Sequence, residues 1–318
     1  VNRATITALL LAALCAAGCT KPAPPPEPGP GPVPPASRPI LYYLNSTAPL
    51  KPGTAAKLQG VGVTDVSILL TDNALNLYAP NLNRAEVKKR CLAFANAAAP
   101  LKWWVAVRAQ SDLSLDRKFS PFSASSWDDE ALWTWYAANL TVIAEEVKAA
   151  GGTGFVLDDE PYTSVGTWQA TTGQAKPGGS VEKRAAQFVA ALKGVQLRHC
   201  APWGKVFKAK GWPAFWKWIH ANQPATVFMG EETYVNAHNP PIVPKYAQEW
   251  RSSLGAAAKV AFGLSPTQPK YASDSMRIQF IKREGVWLYC FPKAPEGVEP
   301  LTEDPNAAPV VAAIKAIR

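Results

Sequence analysis

What most constrains this chain is an alternation that recurs along most of its length. A short β-rich apolar run is followed by a polar turn, then by a stretch with helical periodicity. The runs are ILYYLN (40–45), VSILLTD (66–72), WWVAVRA (103–109), GFVLDDE (154–160), KVFKAK (205–210), TVFMGEE (226–232), VAFGLS (260–265) and VWLYCF (286–291). Helices are expected over 84–98, 129–149, 180–197, 240–258 and 308–318. Strands separated by helices pair in parallel, because the crossover brings the chain back to start the next strand from the same end. Eight such units predict an α/β fold, a single-domain (β/α)8 TIM barrel over 39–318. A doubly wound open sheet is disfavoured, since the first strand runs into STAPLKPG rather than a Gly-rich phosphate loop. The fifth strand is assigned to 205–210 although Lys205, Lys208 and Lys210 crowd it.

What precedes Pro39 cannot join such a core. Residues 4–14, ATITALLLAAL, follow Arg3 and are too short for a bilayer span, which needs ~20 apolar residues. They suit a secretory signal and run into Cys15-Ala16-Ala17-Gly18-Cys19. That run resembles a bacterial lipobox, with Ala16 where Leu is commonest; the resemblance implies a signal peptide over 1–18 and a lipid on Cys19. The stretch TKPAPPPEPGPGPVPPASRP that follows is a Pro-rich tether, extended and unable to pack a core. Thr20 rather than Asp after the cysteine resembles cargo of the outer membrane. The expectation is a lipoprotein anchored in the bacterial cell envelope at the outer membrane; an ordinary signal would make it secreted instead.

Hydrophobic residues are 47% of the chain and charged ones 18%, enough for a large core. The formal net charge is +9, but the basic residues are scattered rather than massed, which argues against a nucleic-acid partner. Cys91, Cys200 and Cys290 follow the anchor region, an odd number at wide spacing that fits neither a disulfide framework nor zinc. Either one disulfide and a thiol or three buried thiols would satisfy it. His199, His220 and His238 have no zinc spacing, and no Gly-x-Ser-x-Gly elbow occurs. No metal or cofactor is called for, and a monomer is expected.

The fourth run ends in Asp158, Asp159 and Glu160, followed by Pro161. Strand alternation puts Phe155, Leu157 and Asp159 on one face and Gly154, Val156, Asp158 and Glu160 on the other. The large apolar side chains suit the outer helices and the small ones the crowded interior. Asp158 and Glu160 then point inward at the C-terminal end of the strand, where barrels carry their active sites. Two carboxyls at i and i+2 couple, and the charge on one raises the pKa of the other. An acid held protonated near neutrality can protonate a leaving oxygen, the demand of glycoside hydrolysis. The structural alternative is a cap for the next helix.

The segment resembles glycoside hydrolase barrels in two ways. As Asp158-x-Glu160 it is similar to the end of the D-x-x-D-x-D-x-E motif of the chitinase-like family 18. That resemblance implies Glu160 as the acid/base and Asp158 as the group orienting an N-acetyl substituent. Tyr43 on the first strand, Met229 and Tyr234 around the sixth, and Trp287 and Tyr289 on the eighth agree with it. Thr153 and Val156 stand where the upstream acids belong, and the Gly-rich third-strand motif is absent. As Asp159-Glu160-Pro161 the stretch resembles the Asn-Glu-Pro of cellulase-like retaining glycosidases, again with Glu160 as acid/base. That family needs a Glu ending the seventh strand, where this chain has Gly263-Leu264-Ser265-Pro266.

A retaining mechanism needs a second carboxylate ~5–5.5 Å from the first, an inverting one ~6.5–9.5 Å. Glu231 and Glu232 close the sixth run, and Glu231 is the preferred partner, with Glu232 beside substrate. Asp72 and Asp112 are weaker alternatives. Arg108 could bind an acidic sugar or hold a carboxylate. Trp is abundant, 12 in all; Trp133, Trp216 and Trp218 are expected in helices and read as core. Trp127, Trp168, Trp203 and Trp212 read as loop residues suited to stacking on sugar, and Trp287 as a pocket floor. The expected function is a glycoside hydrolase-like lipoprotein cleaving an extracellular or cell-envelope polysaccharide. Its catalytic residues would be Glu160, Asp158 and Glu231, with Tyr43, Arg108, Asp159, Glu232, Tyr234, Trp287 and Tyr289 binding substrate. The alternative is a non-catalytic polysaccharide-binding or structural lipoprotein on the same barrel.

Overall fold

The structure is a computed structural model that describes residues 39–44, 46–71, 75, 77, 82–108, 130–158, 181–201, 212–230, 242–267, 275–289 and 298–318. At 108, 132, 181, 201, 212–213, 242–244 and 275–277 it describes the backbone alone. Eight parallel strands close into a barrel in sequential order: β1 (Ile40–Leu44), β2 (Asp65–Leu69), β3 (Lys102–Arg108), β4 (Gly154–Asp158), β5 (Gln196–Ala201), β6 (Val227–Gly230), β7 (Lys259–Leu264) and β8 (Val286–Tyr289). The ring closes where β1 pairs with β8, Leu41 opposite Trp287 and Tyr43 opposite Tyr289. A helix follows each strand: α1 (Thr54–Gly60), α2 (Arg84–Ala98), α3 (Glu130–Ala149), α4 (Val181–Ala191), α5 (Trp212–Asn222), α6 (Ile242–Leu254), α7 (Ser275–Glu284) and α8 (Ala308–Ile317). The expected (β/α)8 barrel is therefore the fold.

Alternation along the strands separates two cores. Phe155 and Leu157 of β4, Phe228 of β6 and Phe262 of β7 face outward and pack under the helices with Phe94, Trp133, Phe188, Trp216 and Trp250. Leu41, Tyr43, Leu69, Trp104, Ala106, Val156, Cys200, Met229, Ala261 and Trp287 fill the barrel interior. Strands buried on both sides read as nearly continuous apolar runs, which is why seven of the eight were visible in the sequence.

The fifth strand is a correction. It is Gln196–Ala201, not 205–210, and it pairs with β4 and β6. The helix expected over 180–197 stops at Ala191, because Lys193 (φ 50°) and Gly194 (φ 79°) turn through the left-handed region. Polar residues at both of its faces, Arg198 inward and His199 outward, hid this strand from a search for apolar runs. Both are buried, at 4% and 0% exposure. Trp212, expected in a loop, opens α5 instead. Helices α1 and α7 were not anticipated, and α5 only through Trp216 and Trp218, which were expected in a helix and lie in it.

Candidate active site

The C-terminal ends of β1, β4 and β8 bring together four of the expected residues. Asp158 is the last residue of β4, and its side chain is buried on the inward face that Val156 also occupies. Its Oδ2 accepts a 2.6 Å hydrogen bond from the hydroxyl of Tyr43, a contact between residues 115 positions apart. Tyr43 is itself 4% exposed. Its ring lies 5.3 Å from that of Tyr289 and 6.3 Å, edge-on, from that of Trp287. Trp287 and Tyr289 are 6.2 Å apart, tilted by 35°.

These positions follow from register. Tyr43 and Tyr289 are paired across the β1–β8 seam, so two large aromatics share one level of the barrel. Trp287, two residues earlier, lies one level deeper and is fully buried, so it floors the mouth. Tyr289 is only half-buried and caps this stack. On the other side, Asp158 is aligned with Arg108 of β3 and Cys200 of β5. A carboxyl, a phenol and two further aromatic rings thus converge at one mouth. That set can hydrogen-bond a polar ring substituent and offer an aromatic surface to an apolar one.

Asp159, Glu160, Glu231, Glu232 and Tyr234 lie outside the described residues, as do Asp72, Asp112 and the side chain of Arg108. So do Cys19, Cys290, Trp127, Trp168 and Trp203. Residue 158 is where the description of β4 ends, and residue 230 where that of β6 ends. On β6, Val227 and Met229 face the interior and Phe228 the helices. The strand end of β7 is described: Leu264 is followed by Ser265, whose Oγ lies 2.9 Å from Thr267 Oγ1, and no carboxylate stands there.

Among the described cysteines, Cys91 sits in the outer core and Cys200 in the inner one, and neither is in a disulfide. Burial pushes the Cys91 thiol up to about 12, which makes it inert. Of the tryptophans read as core, Trp133 and Trp216 are fully buried and Trp218 packs on the outer core. Among the described residues no group of three or more His, Cys, Asp or Glu is placed to hold a metal, and no helix is long and apolar enough to cross a membrane.

One cluster went unanticipated. At the opposite, N-terminal end of the barrel, the indole N–H of Trp104 donates to Asp65 Oδ1 at 2.8 Å. The Arg198 guanidinium lies over the same indole, 4.7 Å from its centroid. Its only signal in the sequence was three polar or amphipathic residues on the inward phase of their strands.

No family model matches the chain, and no curated protein matches it. Solved structures do. Endoglucanase Cel5A of Pseudomonas stutzeri is 14% identical, with 84% of this chain and 86% of that one aligned at a TM-score of 0.51. ZgEngAGH5_4, solved in complex with a cellotriose, is 11% identical over 87% of this chain and 96% of its own, at 0.60. A GH30 endoxylanase from Clostridium papyrosolvens is 12% identical over 88% and 72%, at 0.54. At such identities the likeness establishes the barrel fold.

Proposed function

We propose that the chain is a glycoside hydrolase-like lipoprotein that cleaves an extracellular or cell-envelope polysaccharide by carboxylate acid/base catalysis. The observation that carries this is Asp158: a buried carboxyl at the C-terminal end of β4, bonded to Tyr43 and directly preceding Asp159-Glu160-Pro161. Glu160 would donate the proton to the glycosidic oxygen, and Asp158, fixed by Tyr43, would tune it and orient substrate. Glu231 would be the second carboxylate, with Glu232, Tyr234, Arg108 and Asp159 lining the subsite. The aromatic stack of Tyr43 and Tyr289 over Trp287 suits a sugar ring. Support also comes from the fold's neighbours, which their names describe as endoglucanases and an endoxylanase. The lipobox-like run ending in Cys19 supports anchoring in the envelope, at the outer membrane.

The test is hydrolysis of β-glucans, xylan, chitin oligomers and peptidoglycan by the wild type and Glu160→Gln. Cleavage that is lost in the variant is the expected result. If neither protein cleaves any glycan and both bind one equally, the catalytic reading is wrong. A non-catalytic polysaccharide-binding lipoprotein is the second reading, favoured by the missing carboxylate after Leu264.

A further inference from the structure

The N-terminal end of the barrel holds a pocket of about 440 Å3, on the face opposite the candidate active site. Its wall comes from the first residues of β6, β7 and β8 and from the α6–β7 and α7–β8 turns: Val227, Lys259, Val286, Ala256–Ala258 and Gly285. TIM barrels fill this interior with bulky side chains. Here the small Ala261 and the alanine turn line the N-terminal end below that packed interior, and the pocket reaches Arg198 of β5.

Its charge is lopsided. Arg198, Arg251, Lys259 and Arg283 line it, against Glu284 alone. Glu284 is held by both neighbours: Arg251 grips its two carboxylate oxygens, and Arg283 Nε donates to Oε1 at 2.8 Å. Asp65 sits behind, bonded to Trp104 and Thr64. Four cations therefore face two carboxylates. Arg198 is 4% exposed, and among the described residues its guanidinium has no hydrogen-bond acceptor. Burial lowers its pKa to about 10, against the opposing pull of Asp65. Burying a cation without an acceptor is costly, and the indole face offsets only part of it. Lys259 has no carboxylate partner among the described residues either.

Register sets the spacing. Arg198, Val227 and Lys259 are aligned on β5, β6 and β7, so Arg198 and Lys259 flank Val227 at one level. Two inter-strand steps of about 4.8 Å put their backbones ~10 Å apart. A planar guanidinium fork and an ammonium converging from that distance match a tetrahedral oxyanion. An excess of two positive charges matches a dianion better than a single carboxylate.

We propose that this pocket is a binding site for a phosphate group, presented by a soluble phosphate compound or by a phospholipid headgroup. Pro39, where the chain enters β1, lines the same pocket. The site uses no residue invoked for hydrolysis, so each reading can fail without the other.

The test is calorimetric titration of inorganic phosphate into the purified full-length protein at constant ionic strength. A second arm measures sedimentation with phosphatidylcholine vesicles, with and without phosphatidic acid. Saturable 1:1 phosphate binding is expected, weakened at least tenfold by Lys259→Glu, whose side chain is exposed. Arg198→Met should abolish it, provided its melting curve shows a folded protein. Binding of phosphatidic acid vesicles that is displaced by phosphate and lost in Lys259→Glu assigns the lipid source. Phosphate binding without vesicle binding assigns the soluble one. The proposal is overturned if wild type and Lys259→Glu behave alike in both arms, or if wild type binds neither.

Discussion

The hydroxyl of Tyr43 and the carboxyl of Asp158 meet at 2.6 Å across the barrel mouth, joining β1 to β4, strands that are not neighbours in the sheet. Hydrogen bonds to buried carboxyls contribute more than the average because the partner is poorly compensated by water. Tyr43→Phe removes this one and leaves the ring stack on Tyr289 in place. Urea unfolding should show a loss of about 1–3 kcal/mol. In a cycle with Asp158→Ala, which removes the acceptor, the coupling energy should be about 1 kcal/mol or more. A coupling near zero would mean that the contact holds nothing together.

Asp158→Asn keeps the volume and the capacity to accept from Tyr43. It removes the charge, so the fold should persist and polysaccharide hydrolysis should fall ~100-fold or more, the scale of a lost acid/base or orienting group. Measured on the same glycans as Glu160→Gln, the split between kcat and KM separates roles. A fall in kcat at constant KM marks a group acting on the transition state. A rise in KM alone would assign Asp158 to binding.

Much of this architecture was legible before the fold was known, and the exceptions share a cause. Asp158 could be aimed inward because Phe155 and Leu157 claim the outer phase of β4. Its partner could not be named, since Tyr43 lies 115 residues away and only barrel closure brings them together. β5 was displaced because buried Arg198 and His199 break the apolar run. Each is accommodated by a ring from elsewhere, Arg198 by Trp104 and His199 by Trp216. The basic pocket was hidden for the same reason: it depends on the register of β5, β6 and β7, which periodicity within one strand does not carry.

Gly230 ends β6 against the indole of Trp250, and a Cβ there would stand 2.2 Å from Cζ2 and 2.3 Å from Cη2. Trp250 cannot retreat easily, being fully buried between Phe228 and Phe262 at 5.0 and 5.2 Å. Gly230→Ala should therefore cost about 3 kcal/mol or more, at or beyond the upper end of overpacking penalties. Gly60, at the end of α1, has nothing within 4 Å of the same position. Gly60→Ala should be neutral or stabilise by up to about 1 kcal/mol. Equal effects in thermal melts of the two variants would contradict this packing.

His199 stacks on Trp216 with centroids 3.4 Å apart and planes within 8°, and its ring is 6.5 Å from that of His220. Burial holds His199 well below the usual imidazole range, and the nearby His220 lowers it further; burial alone brings His220 to about 4. Both are neutral in the native state at pH values where an unfolded histidine, near 6.5, takes up a proton. Below that value the unfolded chain binds more protons, so stability is complete above about pH 7 and is lost as pH falls toward 4. Two such groups give a slope that grows as pH falls through 6.5 and reaches about 2.7 kcal/mol per pH unit near about pH 5, where the unfolded histidines are almost fully protonated. Urea unfolding between pH 7 and 5 should approach it. His220→Phe should halve the slope, since it leaves one depressed histidine. A flat profile over that range would mean that the two rings are hydrated and protonate freely in the folded protein.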